Sequence, residues 1–157
     1  MKLEIRRATP DEADALTRLA HLAKRHWNYP AEWIDSWKGE LTITPEFISD
    51  HEVFVAVCDQ VIAGCCALVI KDTLAEIEHM WIDPKQMGKG VGRALFEHAK
   101  ARAQQLGFRM MELSADPNAE GFYKRMGAIR IGEIPADMFG EPRYLPRMRI
   151  DLTESTF

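Results

Sequence analysis

Residues 87 to 92 read Met-Gly-Lys-Gly-Val-Gly and lie between two patterned runs. A strand-like run, Leu74–Ile82, precedes them, and a helix-patterned run to Leu106 follows. Alternating glycines at a strand–helix junction let the backbone turn tightly, so several amide N–H groups converge at a helix N-terminus. Those N–H groups lack intrahelical partners, and the helix dipole adds positive potential, so the turn is suited to phosphate oxygens. The plainer alternative is a glycine-rich connection with no ligand. Two common phosphate motifs fail here. The dinucleotide pattern G-x-G-x-x-G finds Gly88 and Gly90 but meets Arg93 where it needs glycine, and a P-loop would need Gly-Lys followed by Ser or Thr.

A third pattern, Q/R-x-x-G-x-G/A, is met by Gly90 and Gly92, with Gly88 and Lys89 as the filling. Its first position holds Met87, and Gln86 stands one residue early. Downstream, residues 118 to 127 read NAEGFYKRMG, a slightly compacted form of N-x-x-A/G-x-x-F/Y-Y-x-x-x-G. Asn118 follows Asp116-Pro117 and is expected to cap the helix after it, which Gly127 ends in a left-handed conformation. These two segments, in this order and separated by a helix and a strand, resemble the GNAT superfamily of N-acetyltransferases. The resemblance runs from the Glu4–Arg7 strand to the closing strand near Asp151. It implies a single N-acetyltransferase domain over residues 1–157. It also implies an α+β (mixed α/β) fold: a central, mostly antiparallel mixed sheet of six to seven strands with helices on both faces.

Composition sets the remaining bounds. A chain of 157 residues with 46% hydrophobic and 28% charged residues is one globular domain. A net charge of −4 without a basic run gives no reason to expect nucleic acid. Cys58, Cys65 and Cys66 have neither metal nor disulfide spacing and read as buried thiols in a reducing compartment. No signal region or membrane-length apolar run is present, so a cytoplasmic protein is expected, with no membrane partner. No metal is expected, and a homodimer stays open.

Periodicity gives the element order. Leu3–Arg7 is a strand. A helix begins at Thr9-Pro10-Asp11 and reaches about His26; a second covers Ala31–Lys38, and a short third follows Thr44-Pro45. Val53–Cys58 and Val61–Ile70 form a hairpin around Asp59-Gln60, and Leu74–Ile82 is the next strand. The strongest helix is Gly90–Leu106, with a stripe of Val91, Leu95, Ala99, Ala103 and Leu106. Arg109–Ser114, Ala119–Met126, Ala128–Glu133 and Arg143–Leu152 complete the chain as strand, helix, strand and strand.

The resemblance also assigns roles. Acetyl-CoA is the implied acyl donor, with its pyrophosphate in the loop Met87, Gly88, Lys89, Gly90, Val91, Gly92 and Arg93. Its thioester lies along Met80, Trp81 and Ile82, where this strand parts from its neighbour in the family, and the Met80 N–H is placed to polarise the acetyl oxygen. Asn118 serves the pantetheine arm, Phe122 also lines the cofactor, and Lys124 or Arg125 reaches the ribose phosphate. Tyr123 is the implied general acid, its hydroxyl protonated at neutral pH. Glu76 and Glu78 alternate on one strand face and are the candidate bases, Glu78 ahead as nearer the acetyl group and expected to be buried in the central strand. His79 ranks behind them on the other face. Each glutamate could instead pair with an arginine such as Arg109 or Arg143. The acceptor is a primary amine of a small molecule or peptide, walled by His26, Trp27, Tyr29 and Trp33 on one side and Phe139 on the other. A coenzyme A-binding sensor or inactive regulatory module is the other class left open.

Overall fold

The computed structural model describes residues 2–153. It begins with β1 (Leu3–Arg7), then α1 (Ala13–Arg25), α2 (Ala31–Ser36), α3 (Lys38–Leu41) and α4 (Pro45–Asp50). Next come β2 (Glu52–Cys58), β3 (Val61–Ile70), β4 (Ala75–Ile82) and α5 (Val91–Gln105). The chain closes with β5 (Met110–Ser114), α6 (Glu120–Arg125), β6 (Ile129–Pro135) and β7 (Tyr144–Asp151). Short 3-10 turns precede α1, α5 and α6. The seven strands make one sheet in the order β1-β2-β3-β4-β5-β7-β6. β1–β2, β2–β3, β5–β7 and β6–β7 pair antiparallel, and β4–β5 pair parallel. This is the mixed, mostly antiparallel α+β sheet that the sequence implies.

Two compact units are defined by contacts: residues up to Leu68 with His79–His98, and Val69–Glu78 with the chain from Ala99 onward. In the first unit, β1, β2 and β3 form a meander. Asp59 and Gln60 turn the β2–β3 hairpin with φ of 49° and 69°, the primed geometry whose twist matches the strands. β2 and β3 are buried on nearly every residue rather than alternately, because both of their faces are covered. The core gathers Leu16 and Leu19 of α1, Ile43, Ile48 of α4, and Val53, Val55, Cys65 and Ala67 of the strands. Burying a side chain of this size contributes about 1.5–3 kcal/mol, so this cluster carries much of the unit's stability. Two helix boundaries follow from local chemistry. The Thr44 hydroxyl accepts from the Phe47 N–H at 3.0 Å and Pro45 opens α4. α2 stops at Ser36 rather than Lys38, because Trp37 leaves the helical dihedrals (φ −89°, ψ 3°) and α3 starts as a separate turn.

In the second unit, Ala75 and Ile77 of β4, Met111 and Leu113 of β5, and Met148 and Ile150 of β7 are buried on one face. The intervening residues Glu76, Glu112, Arg147 and Arg149 occupy the other. Along α5 the predicted stripe holds at Val91, Leu95, Ala99 and Ala103, all buried. Leu106 departs from it: the helix ends at Gln105, Gly107 takes φ +88°, and Leu106 is turned outward, 39% exposed. The three cysteines are free and buried; burial pushes the Cys65 thiol up to about 12 and raises Cys66 as well, so neither is reactive.

Candidate acyl-transfer site

β4 ends at Ile82, and the chain turns immediately. The Asp83 N–H donates to the Ala63 carbonyl at 2.9 Å, while the Asp83 carboxylate accepts from the Lys85 N–H at 2.9 Å. This fixes the 3-10 turn Pro84–Gln86 and the entry to the glycine loop. Gly88 and Gly90 adopt φ of +78° and +84°, a conformation that costs an L-residue about 1–2 kcal/mol. A Cβ at either would meet nothing within 4 Å, so backbone conformation alone demands glycine there. The Ala94 N–H donates to the Gly90 carbonyl at 3.0 Å, which makes Gly90 the residue from which α5 starts. Val91, Gly92 and Arg93 therefore form the first helical turn, where amide N–H groups have no intrahelical acceptor. Met87, Gly88, Lys89, Gly90 and Arg93 are exposed, whereas Val91 is buried. The outcome is an open turn of exposed backbone on a fixed base.

The base includes a residue that the motif does not mention. A Cβ on Gly64 of β3 would stand 2.9 Å from Ile82 Cδ1, 3.0 Å from the Trp81 carbonyl oxygen and 3.0 Å from Val91 Cγ1. Glycine inside a strand signals close approach, which was the one clue in the sequence.

Met80, Trp81 and Ile82 are half-buried at the end of β4. The Trp81 indole N–H donates to His79 Nδ1 at 2.9 Å, and the His79 ring packs edge-on against Phe47. Nδ1 therefore acts as acceptor, and His79 is engaged by the core side. The parallel ladder between β4 and β5 covers Ala75–Ile77 and Met111–Leu113, while β4 continues to Ile82.

The two glutamates differ from expectation. Glu78 is exposed, not buried, and pairs with Lys71 at 3.2 Å. The strand's outward face is open at that point, so the Glu78 side chain stays in contact with water. Glu76 is half-buried and held by Arg147 at 2.7 Å. Arg147 also reaches Glu112 at 3.0 Å and Ser114 at 3.1 Å, and Arg149 pairs with Glu112 at 2.8 Å. Burial opposes the Arg147 charge, but its bonds to Glu76 and Glu112 outweigh that and raise its pKa. Glu76 thus takes Arg147 of β7 as its partner and Glu78 takes Lys71, rather than Arg109 or Arg143. Pairing across a sheet depends on register, which a single sequence does not display.

Asn118 is not the N-cap of α6, a position that Ala119 holds. Asp116 caps the 3-10 turn Pro117–Ala119 before it, accepting from the Asn118 N–H at 2.8 Å and from its side-chain Nδ2 at 3.0 Å. Asp116 is in turn braced by Arg143 at 3.5 Å. Asn118 is exposed, with its amide orientation fixed by that bond. Tyr123 is only 6% exposed and packs edge-on to Phe122 at 5.1 Å. Gly127, at φ +99°, closes α6 as anticipated, with the Ala128 N–H bonded to the Tyr123 carbonyl at 3.0 Å. Lys124 pairs with Glu120, and Arg125 is exposed.

The aromatic residues after α1 do meet. Tyr29 stacks on Trp33 at 5.8 Å, and Trp37 meets Tyr29 edge-on at 5.1 Å and Trp33 at 6.0 Å. Lys24 places its ammonium 4.4 Å from the Trp37 ring centroid and 5.2 Å from that of Tyr29, a cation–π arrangement that the sequence did not announce. His26 and Trp27 form a separate edge-on pair at 5.0 Å. Phe139 belongs to the other unit. It is 65% exposed at the tip of the Met138–Glu141 turn, with φ +48°. Among the described residues no group of His, Cys, Asp and Glu could hold a metal ion, and no helix is long and apolar enough to cross a membrane.

Comparison with known proteins agrees with this geometry. Across 144 residues the chain is 28% identical to the peptidyl-lysine N-acetyltransferase YjaB of Salmonella typhimurium, covering 90% of this chain and 94% of that one. Its fold matches the crystal structure of PaiA N-acetyltransferase from Thermoplasma acidophilum in complex with coenzyme A. The TM-score is 0.73 at 21% identity, over 96% of this chain and 99% of that one. It also matches YncA from Salmonella typhimurium with its cofactor acetyl-CoA, with a TM-score of 0.71 at 18% identity, over 100% and 98% of the two chains. The family model described as Acetyltransferase (GNAT) family matches residues 15–128, most of the chain. The protein belongs to the GNAT acetyltransferase family.

Proposed function

We propose that residues 1–157 are an acetyl-CoA-dependent N-acetyltransferase domain that moves an acetyl group directly onto a primary amine. The observation that carries this reading is the loop in which Gly88 and Gly90 take left-handed dihedrals directly before the first turn of α5. Residues there fit a pyrophosphate: exposed backbone amides at a helix N-terminus, flanked by Lys89 and Arg93. Bound there, acetyl-CoA supplies the acetyl group as a thioester. The Met80 N–H is suited to donate to the acetyl oxygen as charge develops on it, because β4 runs on past its short ladder with β5. Tyr123 gives its phenolic proton to the departing sulfur, and Glu78 takes the proton of the attacking amine, directly or through water. Glu76 is second choice as base, since Arg147 already holds its carboxylate.

The acceptor we favour is the side-chain amine of a peptidyl lysine. Two facts support it: the Salmonella relative is a peptidyl-lysine N-acetyltransferase, and an aromatic group, Tyr29 with Trp37, holds an alkylammonium from Lys24. The cytoplasm suits an acetyl-CoA enzyme with buried reduced thiols. Met87 favours a second reading, a coenzyme A sensor without turnover. It is an exposed thioether where the family motif has Gln or Arg. One experiment separates them: thiol release from acetyl-CoA, followed with lysine peptides, N-terminal amines and small polyamines. Release dependent on the lysine peptide supports the transferase. A thermal shift with coenzyme A but no release with any amine supports the sensor, and no shift at all removes both.

A further inference from the structure

We propose that β6 is the seat of a symmetric dimer, in which two copies of this chain pair edge to edge about an axis between Ile131 and Gly132. β6 is last in the strand order, and all of its residues are exposed. An edge strand offers a row of backbone N–H and C=O groups to another strand, and an apolar edge is a pairing surface.

The register with β7 shows how the side chains are sorted. Ile129 lies opposite Arg149, Arg130 opposite Met148, Gly132 opposite Arg147 and Ile134 opposite Leu145. Ile131 is the extra residue where the register shifts between Arg130 and Gly132. A bulge sets two residues against one, so Ile131 and Gly132 share the face of Arg147. Ile129, Ile131 and Ile134 therefore line one face, at 63%, 40% and 41% exposure. Arg130 and Glu133 line the other, as their 2.8 Å contact and the Arg130–Glu120 pair to α6 require.

This strand is complementary to itself. Antiparallel pairing about the chosen axis sets Ile129 against the second copy's Ile134, Arg130 against its Glu133, and Ile131 against its Gly132. Each pair shares a face, as opposite residues in an antiparallel ladder must. Apolar meets apolar, and opposite charges meet across the axis twice. The same register accounts for Gly132, which nothing in the single chain requires. Its φ is not left-handed, and a Cβ there would meet no atom within 4 Å. Against a second copy, the missing side chain makes room for Ile131.

This inference is independent of the acyl-transfer reading, since none of its residues belongs to that site. The test is sedimentation equilibrium on the full chain, with melting temperature as the check on folding. The wild type is expected to sediment as a dimer. Gly132→Val should fold as well as the wild type, because its own chain leaves the space open, yet sediment as a monomer. Glu133→Arg should weaken dimerisation about tenfold by setting arginines against each other across the axis. The exchange Arg130→Glu with Glu133→Arg should restore most of that affinity. A monomeric wild type, a dimer that persists in Gly132→Val, or an exchange that restores nothing overturns the proposal.

Discussion

Gly64 and Val91 touch across the base of the glycine loop: a Cβ on Gly64 would stand 3.0 Å from Val91 Cγ1. The same Cβ would stand 3.0 Å from the Trp81 carbonyl, which is backbone and cannot swing aside. Gly64→Ala must therefore displace either the end of β4 or the start of α5. We expect a loss of about 1–3 kcal/mol, the usual cost of overpacking, together with a smaller thermal shift on adding acetyl-CoA. Calorimetry with and without ligand checks both. An alanine variant that melts like the wild type and keeps the full shift removes Gly64 from the support of the loop.

Tyr123 is buried on α6, with its ring against Phe122. Tyr123→Phe keeps the ring and removes only the hydroxyl. Turnover should fall by about 10² to 10⁴, the range of general acid catalysis, while the acetyl-CoA thermal shift is unchanged. Full turnover in this variant would assign the proton transfer elsewhere.

The two glutamates should separate by what they disturb. Glu78 pairs with Lys71, whose side chain is 47% exposed, and such pairs contribute about 0–1 kcal/mol. Glu78→Gln should leave the melting temperature nearly unchanged and slow acetyl transfer most at low pH, where the amine is protonated. Glu76→Gln should lower the melting temperature by loosening Arg147, with little added pH dependence of rate. The reverse pattern would make Glu76 the base.

Arg147 binds Glu76 and Glu112, and Glu112 is 5% exposed. Removing one partner from a buried ion pair costs roughly 3–5 kcal/mol. Arg147 and Glu76 keep 19% and 22% of their side chains in water, so Arg147→Met should cost less, about 2 kcal/mol. Urea unfolding at neutral pH measures it. A cost near zero would show that Arg149 alone satisfies Glu112.

Glu12 accepts two bonds from Arg6, at 2.7 and 3.0 Å, and one from the Thr9 N–H at 2.9 Å. The Arg6 guanidinium, ahead of the other contacts, holds the Glu12 carboxyl down at about 2. A depressed folded-state pKa stabilises the fold above the unfolded value, near 4.5, and that stabilisation is lost as pH falls toward 2. Glu12→Gln should therefore melt below the wild type at pH 7, and the gap should close between about pH 4.5 and 2. A gap that is constant across this range would mean that the carboxylate charge contributes nothing.

Local chemistry was readable from the chain alone. The glycines at 88, 90 and 127 announce backbone geometry that L-residues resist, and each takes positive φ. A β-rich run marks the strand Val61–Ile70, and helical period marks the buried stripe of α5 from Val91 to Ala103, because side-chain spacing within one element depends only on that element. Its failure at Leu106 came one residue past the helix end, where the period no longer applies. Partners across strands were decided only by the tertiary structure. Glu76 found Arg147 and Glu112 found Arg149 through the β4–β5 and β5–β7 registers, between segments far apart in the chain. The Gly64 contact with Val91, the exposure of Glu78 and the sorting of the β6 isoleucines onto one face arise in the same way. Each depends on which strand lies beside which and on where a bulge falls, and long-range packing sets both, whereas local propensity sets neither.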